Sequence, residues 1–174
     1  MKPMVRGLSH DSVTVSDIDR SLHFYRDFLG LEIAAEEEDT FDLTTPEGVP
    51  YTMHRRGVYL RWAEEDPAES FLVLNCHLNR PPLGTPAVIG QLGIDHLGLW
   101  VHDVDALVDR AAQLGDITIA GPTRVHAAIK YGFVSTPGAV KSAMFRDPDG
   151  TFVQTDQWLP EPGPEPSPAS GVPH

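Results

Sequence analysis

At 174 residues the chain is long enough to bury a core without disulfides, and its 41% hydrophobic and 22% charged content is that of a globular protein. Thirteen lysines and arginines against 25 aspartates and glutamates leave a net charge of −12, which opposes attraction to nucleic-acid backbones or anionic membranes. No run of about twenty apolar residues stands out and the N-terminus lacks a basic start followed by an apolar core, so the expectation is a cytoplasmic protein with a small-molecule partner, no nucleic acid and no membrane.

Leu8 to Val15 alternates as a strand does, with Val13 and Val15 on one face and His10, Ser12 and Thr14 on the other. Ser16 or Asp17 is positioned to cap a helix whose apolar residues Ile18, Leu22, Tyr25 and Leu29 recur at helical spacing until Gly30. Strand-like runs follow at Val58 to Trp62 and Phe71 to His77. Cys76, the only cysteine, falls in step with Leu72 and Leu74 and reads as a buried structural thiol.

Three prolines and a glycine between Arg80 and Pro86 mark a boundary, and beyond it the plan repeats. Shifting the chain by 86 residues sets His96 under His10, Leu99 under Val13, Val101 under Val15 and Asp103 under Asp17. Ile94 to Val101 is an expected strand with His96 and Trp100 on one face, and Asp103 is an expected helix cap. Val104, Leu107, Val108, Ala111 and Leu114 form a helical stripe ending at Gly115. Further strands are expected at Ala143 to Arg146 and Phe152 to Trp158. The predicted organisation is α+β: two βαβββ modules, residues 5–78 and 93–159, joined by a linker over 79–92 and paired into one open, barrel-like cleft within the chain. Six prolines among residues 160–174 predict a disordered tail. Each small sheet needs its helix on one face, and His10 and His96 point from the other.

Ser9-His10 with Val13 to Asp17, Ser21 to Leu31, Gly93 to Val101 and Phe145 to Gly150 together resemble the vicinal oxygen chelate superfamily, which includes glyoxalase I, extradiol dioxygenases and bleomycin-resistance proteins. That resemblance implies a metal held from the first and fourth strands of each module. The matching positions are His10, His96, Gln154 and Val73. Valine cannot bind a metal and glutamine offers a neutral carbonyl where most members have glutamate, so the implied ligands are His10, His96 and Gln154, with Asp156 as the alternative oxygen. Three ligands with open positions suit iron(II), and manganese, zinc, cobalt or nickel are compatible with the same donor types.

The function so implied is a metal-dependent, dioxygenase-like enzyme acting on a small aromatic or enolisable compound with adjacent oxygens. The alternatives are a non-catalytic protein that sequesters a drug or metabolite, for which the acidic surface suits a cationic ligand, and a glyoxalase-type lyase or isomerase. His77 and Tyr131 are the candidate proton-transfer residues, and Trp100 and Asn75 the candidate substrate contacts. His54 and His126 lie in loop-rich stretches, and Thr123 to Pro137 reads as a lid. Asp147-Pro148-Asp149-Gly150 reads as a turn without catalytic role, and His23 and His102 as surface residues. A homodimer is compatible with all of this.

Overall fold

The computed structural model describes residues 7–45, 47–62, 70–86 and 88–160, so most of the expected tail lies outside the described residues. The first module runs β1 (His10–Val15), α1 (Ile18–Leu22), a π-helical turn (His23–Phe28), β2 (Glu32–Thr44), β3 (Pro50–Arg61) and β4 (Phe71–His77). These strands form one sheet in the order β1-β4-β3-β2, with β1 and β4 parallel. The second module runs β5 (Leu97–Trp100), α2 (Val104–Leu114), β6 (Thr118–Ile119), β7 (Arg124–Ala127), a 3-10 turn (Ala128–Tyr131), β8 (Gly138–Arg146) and β9 (Phe152–Pro160). Its sheet has the order β5-β9-β8-β6, with β7 also paired to β8. No helix of the described residues is long and apolar enough to cross a membrane.

Local signals fix both helix starts. The carboxylates of Asp17 and Asp103 accept from the backbone N–H groups of Arg20 and of Asp105 and Ala106, satisfying donors that a helix end leaves free. Gly115 closes α2 at φ 78°, a torsion open to glycine at little cost.

Several local expectations give way. His54 and His126, expected in loops, lie within β3 and β7, and β7 takes up the start of the expected lid because it pairs with β8. The second strand of module two is broken: Thr118 and Ile119 pair with Arg146 and Phe145, but on resuming at Arg124 opposite Ser142 the register has slipped by two residues. Gly121-Pro122 lies in the gap, and proline has no N–H to give a ladder. His96, expected within a strand, sits just before β5, because the pairing with β9 begins at Leu97 opposite Val153.

The helix-covered faces of the two sheets share one core. Val13, Val15, Leu72 and Leu74 from the first and Leu97, Phe145 and Val153 from the second belong to a single buried cluster with Tyr25 and Phe28. Phe28 meets Phe145 edge to face at 5.1 Å between ring centroids. Above it the Tyr25 hydroxyl donates to the Asp147 carboxylate at 3.0 Å, and both residues are buried. The other oxygen of Asp147 accepts from the N–H groups of Asp149 and Thr151. Asp149 in turn accepts from the Ser16 N–H and the Arg20 guanidinium, each at 2.7 Å. The Asp-Pro-Asp-Gly turn is thus the latch between modules. The two sheets are not closed into a barrel, and their helix-free faces remain open.

Burial holds the Asp147 carboxyl above the ordinary carboxylate range, against the N–H bond from Thr151 and the hydroxyl of Tyr25 that favour the anion. A raised value in the folded state means that this group's contribution is full below the unfolded carboxylate pKa and is lost as pH rises through the folded one. Asp147→Asn keeps an acceptor for the turn and gives Tyr25 a donor, so it should hold stability within about 1 kcal/mol and gain on the parent as pH rises. Asp147→Ala leaves buried partners unpaired and should cost about 2–3 kcal/mol. Urea unfolding of the three proteins across the acidic-to-neutral range checks both the order and the slope.

Candidate functional site

Strand alternation places Phe152, Gln154, Asp156 and Trp158 of β9 on the helix-free face of the second sheet, opposite Arg146, Met144, Ser142 and Val140 of β8. Asp156 is only 6% exposed. A buried carboxylate needs donors, and it has them. Its Oδ1 accepts from the Ser142 hydroxyl at 2.6 Å, the Tyr131 hydroxyl at 2.9 Å and the Gln154 amide at 3.0 Å. Its Oδ2 accepts from the same Gln154 amide at 3.1 Å, and Gln154 Nε2 also donates to the Tyr131 hydroxyl at 3.0 Å. Burial first, and then the adjacent Asp156 carboxylate, hold the Tyr131 hydroxyl above its ordinary pKa.

Tyr131 therefore fastens the expected lid segment to the sheet. Beyond it Phe133 lies edge to face on Trp158 at 5.1 Å between centroids and 6.2 Å from Trp100, which is itself 6.0 Å from Tyr131. Trp100, Phe133, Thr136 and Trp158 wall an open recess of about 300 Å³, with Trp100 57% exposed. Gly138 makes the wall possible: a Cβ there would stand 2.7 Å from the Trp158 ring, and its φ of 144° is one that side-chain-bearing residues rarely adopt.

The implied metal ligands are arranged differently. His96 has Nδ1 paired with Asp95 at 2.5 Å, which leaves Nε2 free, and it lines a cavity of about 240 Å³ with Ser12, Thr14 and Phe152. His10 does not line that cavity. Its ring stacks on Phe71 at 5.1 Å and its Nδ1 is hydrogen-bonded to Ser9 Oγ. Val73 is a buried valine. Gln154 would have to offer its carbonyl oxygen, yet its amide nitrogen is held by Asp156 and Tyr131. Among the described residues no group of three or more His, Cys, Asp or Glu side chains is placed to hold a metal ion. With two imidazoles that do not share a cavity and one tethered amide, the implied donor set does not fit a divalent cation as it stands.

The first sheet's open face is organised around Arg55. Its guanidinium holds Asp39 in a two-pronged pair at 2.7 and 2.9 Å, donates to Asn75 and Tyr59, and lies over Phe41 at 4.8 Å. Asn75, a candidate substrate contact, spends its amide on Arg55 and Ser12. His77 lies at the end of β4 with Nδ1 buried and without a hydrogen-bond partner; burial, then the charge of Arg80, lowers its pKa. It and Tyr131 lie on different modules. Burial likewise raises the pKa of the Cys76 thiol.

Of the candidates, the structure brings Tyr131, Gln154, Asp156 and Trp100 together. Reading the sequence alone missed Ser142 and Phe133. The register counted back from the Asp147–Gly150 turn pairs Ser142 with Asp156, so that partner had a signal, while Phe133 carried none beyond its place in the lid segment.

A family model described as the Glyoxalase/Bleomycin resistance protein/Dioxygenase superfamily matches residues 7–155, and the chain belongs to that superfamily. None of the curated proteins matches the sequence. Among solved structures, a glyoxalase-family protein from Bacillus cereus aligns at a TM-score of 0.63 with 16% identity, covering 91% of this chain and 97% of that one. A trypanothione-dependent glyoxalase I from Leishmania major aligns at 0.55 with 22% identity, over 90% and 88% of the two chains. TnmS3, an antibiotic-binding protein from a Streptomyces species, aligns at 0.51 with 24% identity, over 90% and 99%. At these identities the likeness is one of fold.

Tyr131→Phe removes one of the donors to Asp156 and should cost about 1 kcal/mol. The effect should be local. The amides of Gly132 and Phe133, bonded to Ile129 and Ala128, should exchange with solvent faster than in the parent while those of β8 do not. Equal exchange in both proteins would mean that the segment is held by something other than this hydroxyl.

Proposed function

We propose that this protein binds a small planar aromatic molecule on the open face of the second sheet, between Trp100, Phe133 and Trp158, with no metal ion in the contact. The observation that carries this reading is the aromatic recess itself. Small-molecule sites are apolar and largely preformed, with a few fixed polar groups, and aromatic pairs add about 0.5–1.5 kcal/mol to simple burial. The recess has three ring faces or edges already positioned, and the Tyr131–Asp156 network beside it supplies the polar margin. An antibiotic-binding protein and a glyoxalase I both stand among the structures of the same fold, so the fold accommodates sequestration and turnover alike.

The dioxygenase-like reading rests on His10, His96 and Gln154. One feature favours it: the Asp95 carboxylate on Nδ1 of His96 is the kind of outer partner that orients a metal-binding imidazole through its other nitrogen. It would also draw on the Gln154 carbonyl oxygen, while the amide nitrogen is bonded to Asp156 and Tyr131.

Quenching of tryptophan fluorescence by a neutral bicyclic probe, quinoline, tests the choice. Binding should survive exhaustive dialysis against EDTA, and Trp158→Ala should weaken it about tenfold or more, while Gly138→Ala should weaken it by displacing the Trp158 ring. Stoichiometric metal in the purified protein, lost in His10→Ala and His96→Ala and needed for probe binding, would instead establish the metal-dependent reading.

A further inference from the structure

The slip between β6 and β7 does more than interrupt a ladder. Two extra residues at Gly121-Pro122 bow the edge strand away from β8, and β-bulges of this kind commonly re-aim side chains beside functional sites. Beneath the bow is a cavity of about 220 Å³ on the open face of the second sheet, lined by Arg124, His126, Gln154, Met144, Phe152 and Ile89 among others. It lies toward the Phe152 end of β9, whereas the aromatic recess lies at the Trp158 end, and Tyr131 stands between them with its ring 6.3 Å from that of His126.

The chemistry of this cavity is not that of the recess. Arg124 and His126 are two apart on β7, opposite Ser142 and Val140, so both project to the open face. In a chain of net charge −12 the other strand arginines are engaged: Arg55 with Asp39, Arg56 with Glu36, Arg61 over Phe71 and Arg146 over Phe152. None of the ion pairs or ring contacts among the described residues involves Arg124. Asp156, the acidic group of this face, already accepts four hydrogen bonds and lies behind Ser142 and Gln154. The long-range field of the chain repels anions, but beyond a Debye length of about 8 Å it is largely screened in physiological salt, so the groups in the cavity decide. Met144, Phe152 and Ile89 give it an apolar floor.

From this arrangement we infer that the cavity under the β6–β7 bow is a second binding site, which takes a small organic carboxylate. The guanidinium of Arg124 receives the carboxylate through two parallel N–H bonds, a geometry that arginine offers and lysine does not. The His126 ring lies beside it, and the hydrocarbon part of the ligand rests on Met144 and Phe152. The volume is below the roughly 300–1,000 Å³ of drug-sized sites, so the ligand is a short branched chain or a single ring. This site does not depend on the aromatic recess.

Calorimetric titration at an ionic strength of about 0.15 M, where the net charge of the chain is screened, with 3-methylbutanoate and with its neutral isostere 3-methylbutanamide tests the inference, since neither compound has a ring for the recess. The acid should bind the parent about tenfold or more tightly than the amide, in line with a hydrogen bond to a charged group. Arg124→Gln should abolish that preference without changing the melting temperature, because the side chain is exposed and has no partner to lose. Trp158→Ala should leave the preference intact, which separates this site from the recess. Equal binding of acid and amide, no detectable binding of the acid at millimolar concentration, or a preference that survives Arg124→Gln would each overturn the inference. Displacement of the acid by an equal concentration of inorganic phosphate would also overturn it, in favour of a site for tetrahedral oxyanions.

Discussion

The buried bond from Tyr25 to Asp147 is the contact on which the arrangement of this molecule rests. It joins the π-helical turn of the first module to the hairpin turn of the second, directly above the Phe28–Phe145 pair. A phenol and a carboxylate excluded from water have few ways to be satisfied, so the geometry they demand is narrow. Asp149 adds the end of β1 to the same turn through Ser16 and Arg20. Once these contacts are made, the helix-covered faces of both sheets are spent on one core, and neither sheet can use that face for a ligand.

What is left are two open faces with different chemistry. The first is saturated internally: Arg55, Asp39, Asn75, Ser12 and Tyr59 satisfy one another, leaving few free donors or acceptors at its centre. The second keeps its rings exposed at the Trp158 end, gathers the hydrogen bonds of its centre around Asp156, and presents Arg124 and His126 at the Phe152 end. Ligand chemistry is therefore concentrated on the second sheet, even though the two sheets have corresponding strand orders.

Much of this was legible in the sequence. The burial of Val13 and Val15, the caps at Asp17 and Asp103 and the stop at Gly115 follow from local periodicity and local hydrogen bonding, and the structure repeats them. The turn at Asp147 was legible as a turn but not as a latch, because its partners Tyr25 and Ser16 lie more than a hundred residues away, where spacing carries no information. The bow at Gly121-Pro122 was hidden for a related reason: a break in an edge strand and a loop between strands have the same composition, and only the register against β8 separates them. His10 and His96 are equivalent in sequence, yet equivalence does not give equal surroundings. Phe71 beside one and Asp95 beside the other settle where each ring lies.

Gln154 shows how one amide can be drawn into two different sites. A glutamine that served a metal would turn its carbonyl oxygen inward and leave its N–H groups for solvent or a neighbour. Here the N–H groups face a buried anion, and an anion in that position selects the donor end of the amide. Asp156 is two residues along the same strand face, so a glutamate at 154 would set two carboxylates side by side and remove the amide's bonds to Asp156, leaving it those from Ser142 and Tyr131. Like charges so placed raise one another's pKa and repel. The neutral residue at 154 is thus tied to the acidic one at 156. The same buried charge that selects the donor end of the amide at 154 also holds the Tyr131 hydroxyl and, with it, the wall of the aromatic recess.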